Sequence, residues 1–246
     1  MRIIGTIARN INAVRTPVCL SAKLSPALIF FLAGSHDIGK IFFSFQAKNS
    51  VWLKQHGWIN IPDLLNGVKH GQVTASVLSH FLKQKTATSS LSAAKWAVAI
   101  GGHHGYLPAK ASGSPISVQG ENKLLDWPAL RHDALEELWR FGNCGEIAGL
   151  SADEDILWFV AGLTAVADWI GSDETFFPTE KELSIQEIDT LSDKAVEALS
   201  FCAPEPKLDL DFRTIFTHGS DVFVPNALQK SAAVFITEPG IYGSAE

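Results

Sequence analysis

Two polar pairs interrupt apolar segments of this 246-residue chain and carry side chains suited to chemistry. His36-Asp37 follows the apolar segment 27–34, and His103-His104 follows another apolar segment further along the chain. Imidazole and carboxylate groups together suit Mn, Fe, Ni or Zn better than Ca or Mg alone. A carboxylate placed between imidazoles can also bridge two cations through its two oxygens. The pairs therefore predict a metal site, provided that the fold brings them together.

A third candidate ligand is Asp168, which lies inside the apolar segment 153–170. On an ideal helical wheel it lies about 20° from Leu157, so its carboxylate is expected to face partly into the core. A buried charge is costly unless it is hydrogen-bonded, paired or bound to a metal. Capping of a neighbouring helix or pairing with a lysine would serve as well, and Asp168 alone leaves these alternatives open.

The other histidines are less suited to a ligand role. His132-Asp133 repeats the dipeptide, but it lies on a segment rich in charged residues, which predicts a solvated helix face. His70 precedes Gly71 at a predicted helix start, where capping or core packing competes with metal binding. Three further histidines are assigned to structure: His56, His80 and His218.

Apolar periodicity predicts an all-α fold to position these residues. Pro26 suits a first helical turn, and the continuous apolar run 27–33 predicts a buried helix. Further helices are predicted at residues 68–84, 93–100, 129–141, 153–170 and 184–202. Residues 109–120 predict a loop because they are rich in Ala, Ser, Gly and Pro. Residues 1–25 predict an atypical start, either irregular or helical.

Composition and charge narrow the class of protein. The longest apolar run has seven residues, whereas a membrane-spanning helix needs roughly 20. Three scattered cysteines (Cys19, Cys144 and Cys202) fit neither a zinc site nor a disulfide framework, which predicts a reduced, cytoplasmic protein. The net charge is −6, but residues 1–110 carry +10. Such a basic half either holds a polyanion or simply balances the acidic half.

In chain order, these motifs resemble the HD phosphohydrolase superfamily. The segment His36–Lys40 resembles its signature, and residues 42–53 are similar to the HD nuclease domain of the CRISPR-associated helicase–nuclease of type I systems. His70-Gly71, together with Ser76, resembles the family's second motif. Residues 102–105 resemble its paired-histidine motif, and residues 167–172 resemble its closing motif. Parts of residues 212–242 look like the approach to that family's helicase. The resemblance covers about residues 26–242.

The resemblance implies an all-α domain over residues 26–206 that holds one or two divalent metals and cleaves single-stranded DNA. The implied metals are Mn, Fe, Ni or Co, with Mg as an alternative. The first metal would be bound by His36, Asp37 and Asp168. Asp37 would bridge to a second metal, which would be bound by His70, His103 and His104. Lys40 would neutralise charge on the scissile phosphate, with Ser172 in a supporting role.

The resemblance also implies partners. In full-length relatives, the Cascade surveillance complex supplies the displaced strand and an ATP-driven helicase feeds it to the nuclease. The present sequence contains no Gly-x-x-x-x-Gly-Lys-Ser/Thr loop, so it is not a complete helicase. A separately encoded nuclease subunit that works with a separate helicase, a truncated gene product and a fragment of a longer protein are the alternatives. Residues 207–246 are expected to form a tail that resembles the approach to a helicase domain.

One departure from the family concerns a metal-binding histidine that normally precedes the His-Asp pair. Residues 1–35 contain no histidine, so we expect the first metal position to bind its metal more weakly.

Two alternative functions are also consistent with the sequence. An HD phosphohydrolase acting on nucleotides would turn over nucleotides without cleaving polymers. A catalytically defective remnant would dock tightly on Cascade without any nuclease activity.

Overall fold

Helices account for most of the residues that the computed structural model describes, which are 1–15, 24–55, 57, 68–108, 125–147, 149–199, 217–218 and 221–222. In chain order they are α1 (Arg2–Arg15), α2 (Pro26–Gly34), α3 (Phe43–Gln46), α4 (Ser50–Gln55), α5 (His70–Lys85), α6 (Ser90–Gly101), α7 (Trp127–Phe141), α8 (Glu154–Gly171) and α9 (Ile185–Ala198). A 3₁₀ turn, Ile38–Lys40, lies between α2 and α3. The predicted all-α fold is confirmed.

Helix α2 is apolar on every side, and other helices bury it. Residues 28–34 of this helix are all buried, and α1, α7 and α8 contact it. Ser25 caps its first turn by accepting a hydrogen bond from the Leu28 N–H at 3.2 Å. Pro26 fits the next position because a first-turn N–H has no partner within the helix. The burial of α2 carries the polar residues that follow it, His36 and Asp37, into the interior.

The start of the chain is a helix and not an irregular segment. The apolar residues of α1 recur every three or four positions and are buried (Ile4, Ile7, Ala8 and Ile11). This face packs against α2, α8 and α9. On the polar face, Asn10 donates a hydrogen bond to Asp193 of α9 at 2.7 Å. Helix α1 is therefore part of the helical bundle.

The helices predicted from periodicity are all present, with ends that move by a few residues. The largest change is in α9, which ends at Ala198, whereas the pattern predicted helix as far as residue 202. Helices α3 and α4 were not predicted, because four and six residues are too few to show a helical period. The loop predicted at 109–120 lies outside the described residues.

Two units divide the chain, Met1–Cys202 and Ala203–Glu246. All nine described helices belong to the first unit. In the second, Thr217–His218 (β1) pairs antiparallel with Asp221–Val222 (β2). Most of the predicted tail, 207–246, lies outside the described residues, and its role stays a prediction. Within the described ranges, no helix is both long and apolar enough to span a bilayer.

Glycines allow three segments to meet at the site. A Cβ on Gly71, at the start of α5, would collide with the carbonyl oxygen of Gly101, at the end of α6. A Cβ on Gly39, in the 3₁₀ turn, would collide with the carbonyl oxygen of His70. Any other residue at these positions would push the backbones apart. The close approach places His70 beside the His-Asp turn and beside the end of α6.

Candidate metal centre

Two buried histidines present the same ring nitrogen to the site, because their other nitrogen is already bonded. The Nδ1–H of His36 donates to the Ala33 carbonyl at 2.8 Å, and that of His103 donates to the Ile100 carbonyl at 2.9 Å. A carbonyl only accepts, so Nδ1 carries the proton and Nε2 carries the lone pair in the neutral ring. Both acceptors lie in the last turn of a helix, where carbonyls lack intrahelical donors. The helix ends thus orient both rings.

Asp37 contacts histidines from three segments of the chain. Its Oδ2 lies 3.1 Å from Nε2 of His36. Its Oδ1 lies 3.5 Å from Nε2 of His70 and 3.7 Å from Nε2 of His103. Oδ2 therefore faces one imidazole, and Oδ1 faces the other two. This is the arrangement that a carboxylate needs in order to bridge two cations.

Asp168 reaches the same centre from the last turn of α8. Its Oδ1 lies 3.3 Å from Nε2 of His36, and its side chain is 14% exposed. Leu157, its neighbour on the helical wheel, is buried, which places the carboxylate toward the interior. Ser172, one turn further, donates from Oγ to Oδ1 of Asp168 at 3.5 Å. Ser172 thus supports the orientation of a potential ligand.

Two groups of three donors could each hold a metal ion. The first group is His36, His103 and Asp168, and the second is His70, His103 and His104. Within each group, one donor atom from every residue lies within 4.8 Å of the others. His103 belongs to both groups, whereas the resemblance assigns it to the second metal alone. The geometry leaves the distribution of His103 between the two positions open.

Four donor atoms that face this centre have no hydrogen-bond partner among the described residues. They are Nε2 of His36, His70 and His103, and Oδ1 of Asp37. Nε2 of His70 and of His103 lies within ion-pair distance of Oδ1 of Asp37 but without hydrogen-bond geometry. Nε2 of His36 lies at a similar distance from Oδ2 of Asp37 and Oδ1 of Asp168. A buried polar atom left unsatisfied costs about 1–3 kcal/mol, so four together need an explanation. Divalent cations would satisfy all of them, and a mixture of imidazole and carboxylate suits transition metals.

The histidines of the centre differ in protonation. Burial opposes the protonation of His36, but Asp168 and Asp37 outweigh it and raise its pKa above the ordinary 6.5. Burial, together with the nearby charge of His36, lowers the pKa of His103 to about 4. Burial also lowers the pKa of His70. At neutral pH, His70 and His103 are therefore neutral, which is the form that binds a metal.

Both aspartates of the centre are ionised. Burial alone would raise the pKa of Asp37, but His36 and Lys40 hold it well below its usual range. The nearby His36 ring lowers the pKa of Asp168, against the opposing effect of burial. Two carboxylates kept charged beside buried imidazoles attract a cation. The electrostatics of the site therefore agree with its donor geometry.

Lys40 extends from the turn that follows Asp37. Its Nζ lies 2.5 Å from Oδ2 of Asp37, and its side chain is 35% exposed. The ammonium is thus both close to the donor atoms and accessible from solvent. A cation in this position can contact an anionic substrate at the opening of the site.

Thr74 positions the His-Asp turn, although no pattern in the sequence predicts this role. Its Oγ1 donates to the backbone carbonyl of His36 at 2.8 Å and accepts from the Gly39 N–H at 3.0 Å. Both bonds are buried, so α5 fixes the backbone on either side of Asp37. In a helical sequence pattern, a threonine that positions another segment cannot be distinguished from a threonine without such a role. Only the three-dimensional crossing identifies its role.

The remaining histidines of the first unit lie on exposed helix faces or outside the described residues. His132 is half exposed on α7, 3.8 Å from Asp133. His80 is exposed on α5 and hydrogen-bonds with Gln84 at 2.9 Å. His56 lies outside the described residues, and His218 lies in the second unit. The repeated His-Asp dipeptide on α7 is therefore a solvated face.

The helical bundle and its convergent donor set define a metal-dependent hydrolase of the HD class. Residues 6–177 match the family described as Cas3, HD domain, and the chain belongs to this family. The match covers both aspartates and all four histidines of the centre. The predicted family is thus confirmed, and with it the class of enzyme.

Known relatives agree with this assignment. The CRISPR-associated endonuclease/helicase Cas3 of Thermus thermophilus is 29% identical over 218 residues, which are 83% of this chain and 23% of that protein. The chain therefore spans about a quarter of that relative's length.

Solved structures share the fold. The Thermus thermophilus cas3 HD domain, determined in the presence of Ni²⁺, has a TM-score of 0.58 at 24% identity, covering 81% of this chain and 83% of that one. T. fusca Cas3 has a TM-score of 0.59 at 20% identity, covering 80% and 24%. A chain from a CRISPR RNA-guided surveillance complex in a pre-nicking state has a TM-score of 0.57 at 20% identity, covering 80% and 26%.

Proposed function

We propose that this chain hydrolyses phosphodiester bonds of single-stranded DNA in CRISPR interference. The observation that carries the proposal is the convergence of unsatisfied donors from separate helices on the two oxygens of Asp37. Such an arrangement suits two cations, and paired cations are a recurrent solution for cleaving phosphodiesters. The curated relative is named as an endonuclease, which supports the same activity.

The proposed ligands divide between two metals. His36, Asp37 and Asp168 would hold the first, and Asp37, His70, His103 and His104 would hold the second. When bound, Mn²⁺, Fe²⁺, Ni²⁺ or Co²⁺, with Mg²⁺ as an alternative, would activate water and neutralise charge on the phosphate. The Ni²⁺ in the related structure belongs to that protein, and the native metal here is left to measurement.

Residues beside the metal ligands would bind and orient the substrate. We propose that Lys40 contacts a phosphate oxygen, because its ammonium lies at the opening and is accessible. Ser172 would keep Asp168 oriented through its hydrogen bond. Neither residue needs to bind a metal to act in this way. The role of Lys40 therefore predicts slower turnover with unchanged metal content, whereas loss of the Ser172 hydrogen bond should also weaken metal binding.

The charge around the site supports a polyanionic substrate. Among the described residues between 38 and 107 there are several lysines and no Asp or Glu. Such a surface attracts phosphates even though the whole chain is acidic. The docking of this chain on Cascade and its cooperation with a separate helicase are proposals that follow from its relatives. Its cytoplasmic location is a proposal that follows from its scattered cysteines.

A substrate panel tests the proposed function. The purified chain with Mn²⁺ or Ni²⁺ is incubated with a labelled single-stranded oligonucleotide, the matching duplex, a single-stranded RNA and nucleotides. We expect cleavage of the single-stranded DNA, lost in Asp37→Ala. Nucleotide turnover without polymer cleavage would establish the alternative of a nucleotide phosphohydrolase. A metal-loaded chain that is inert on all substrates yet binds Cascade tightly would establish a defective remnant.

A further inference from the structure

Two lysine–aromatic pairs lie beside the metal centre and are not explained by metal binding. In the first pair, Nζ of Lys48 lies 4.3 Å from the centre of the Phe45 ring. In the second pair, Nζ of Lys69 lies 3.8 Å from the centre of the Tyr106 ring. The two pairs come from different segments of the chain. Each places a cation directly over an aromatic face.

Both pairs lie next to the proposed ligand His70. The Phe45 ring is 5.8 Å from the His70 ring, measured between centroids. Lys69 directly precedes His70 in the chain. Tyr106 follows His104 by two residues, and the His104 ring is 5.3 Å from the His70 ring. The pairs therefore adjoin the opening of the metal centre on separate segments.

The second pair is the more accessible one. Tyr106 is 55% exposed, so its ring is open to solvent. Gly105 has a φ of +80°, a conformation that favours glycine, and this turn precedes Tyr106. Lys69 is exposed as well, at the N-terminus of α5. The positive end of that helix dipole adds to the attraction for a phosphate.

We infer that each lysine–aromatic pair binds one nucleotide of a single strand whose scissile phosphate lies at the metal centre. The aromatic ring stacks on a base, and the lysine pairs with the adjoining phosphate. This combination is how proteins bind single strands without reading sequence. The inference rests on the proposed nuclease function. It adds the residues that hold the strand next to the cleavage position.

Strand binding tests the inference without requiring cleavage. The binding of a fluorescein-labelled 20-nucleotide oligo(dT) is measured by anisotropy in EDTA for the wild-type chain, Lys48→Ala, Lys69→Ala and Tyr106→Ala. We expect Tyr106→Ala to weaken binding roughly 5- to 100-fold, the range for loss of one stacked base. Each lysine variant should reduce the slope of log affinity against log salt by about 0.7.

Lys83→Ala is the matched control, because Lys83 is an exposed lysine of the same helix α5. It lies about 20 Å from His70 along the helix axis. This variant removes the same charge and should bind as the wild type does. Binding by Lys69→Ala and Tyr106→Ala that equals that of Lys83→Ala would overturn the inference.

A small phosphodiester separates this inference from the proposed function. Hydrolysis of bis(4-nitrophenyl) phosphate with Mn²⁺ needs the metal centre but no strand contacts. We expect the pair variants to lose oligonucleotide cleavage at least tenfold more than cleavage of this diester. If the variants hydrolyse both substrates and bind the strand as the wild type does, the proposed role of the lysine–aromatic pairs would be contradicted, and the nuclease activity would not. If Tyr106→Ala loses strand binding but the wild-type chain hydrolyses neither substrate, the nuclease activity alone would be contradicted.

Discussion

Asp37 and Asp133 each follow a histidine, but only one of them faces the other proposed ligands. Asp37 contacts three imidazoles in the interior, whereas the Asp133 side chain is 80% exposed. We expect Asp37→Ala to abolish both bound metal and cleavage, because it removes the proposed bridge. Asp133→Ala should change neither by more than twofold. Metal analysis with a cleavage assay checks the pair, and equal losses would show that the wrong dipeptide was chosen.

Lys40 tests whether a cation beside the metals contacts the substrate. A charge-assisted contact of this kind is worth about 1.5–3 kcal/mol, which is roughly ten- to a hundredfold in rate. Lys40→Ala should therefore slow cleavage by that factor while the bound metal remains unchanged. Single-turnover rates and metal analysis measure the two effects separately. Unchanged turnover would make Lys40 only an ion-pair partner of Asp37.

His36 predicts a pH dependence of metal binding. Its pKa is raised above 6.5 in the metal-free fold, so the charged ring stabilises that fold below the unfolded pKa. This stability is lost as the pH rises through the folded pKa. Metal binding needs the neutral ring, so protons compete with the metal at low pH. Mn²⁺ should therefore raise the melting temperature more at pH 8 than at pH 6.

Thermal melts of the metal-free and Mn²⁺-loaded chain at the two pH values measure this effect. An equal increase at both would mean that His36 does not exchange its proton for a metal. Burial lowers the pKa of His103 to about 4, so this ring contributes little to the difference between pH 6 and pH 8.

At the scale of elements, the crossing of α5 and α6 depends on two glycines in contact. Gly71→Ala would force a methyl group into the Gly101 backbone, and overpacking of this kind typically costs about 1–3 kcal/mol. It should also move His70 away from His103 and weaken metal binding. Denaturant unfolding with metal analysis measures both.

Gly162→Ala is the matched control for this substitution. Gly162 lies on α8, and a Cβ there would meet nothing within 4 Å. Alanine suits a helix better than glycine by about 1 kcal/mol, so this variant should be as stable as the wild type or more so. Equal destabilisation by both variants would contradict the role of the close crossing.

Much of this helical architecture could be predicted from apolar periodicity, and its contacts could not. The continuous run in α2 predicts a buried helix because no face of it is polar. The pattern cannot show that Gly71 meets Gly101, or that Thr74 bonds to the backbone beside Asp37, because these contacts join distant segments. The short helices α3 and α4 could not be predicted for a different reason, since neither completes two turns.

The candidate site was predictable to the extent that ligand types interrupt apolar helices. His36, Asp37 and Asp168 stand out because a polar side chain within an apolar pattern needs a reason. His70 does not stand out in this way, and only the family motif favoured it. The sharing of His103 between two donor groups follows from the packing of helix ends, which spacing along the chain does not encode.

For the whole molecule, the basic part of the chain coincides with the part that contains the proposed site. The basic first part of the chain contains most of the metal-ligand candidates and both lysine–aromatic pairs. Helix α1 also begins close to the centre, since the Met1 carbonyl oxygen lies 3.0 Å from where a Cβ on Gly34 would be. Yet α1 contains no histidine. The first metal position therefore has His36, Asp37 and Asp168 as its proposed ligands, with His103 within reach.

Fewer protein ligands should weaken the first position, and even a lost outer contact typically lowers affinity about 10- to 100-fold. The most direct measurement is the cleavage rate of a labelled single-stranded DNA against Mn²⁺ concentration, with bound equivalents counted in the same samples. We expect cleavage to rise steeply beyond the first bound equivalent and to be absent in Asp37→Ala. A fully loaded wild-type chain that leaves the strand intact would contradict the central claim.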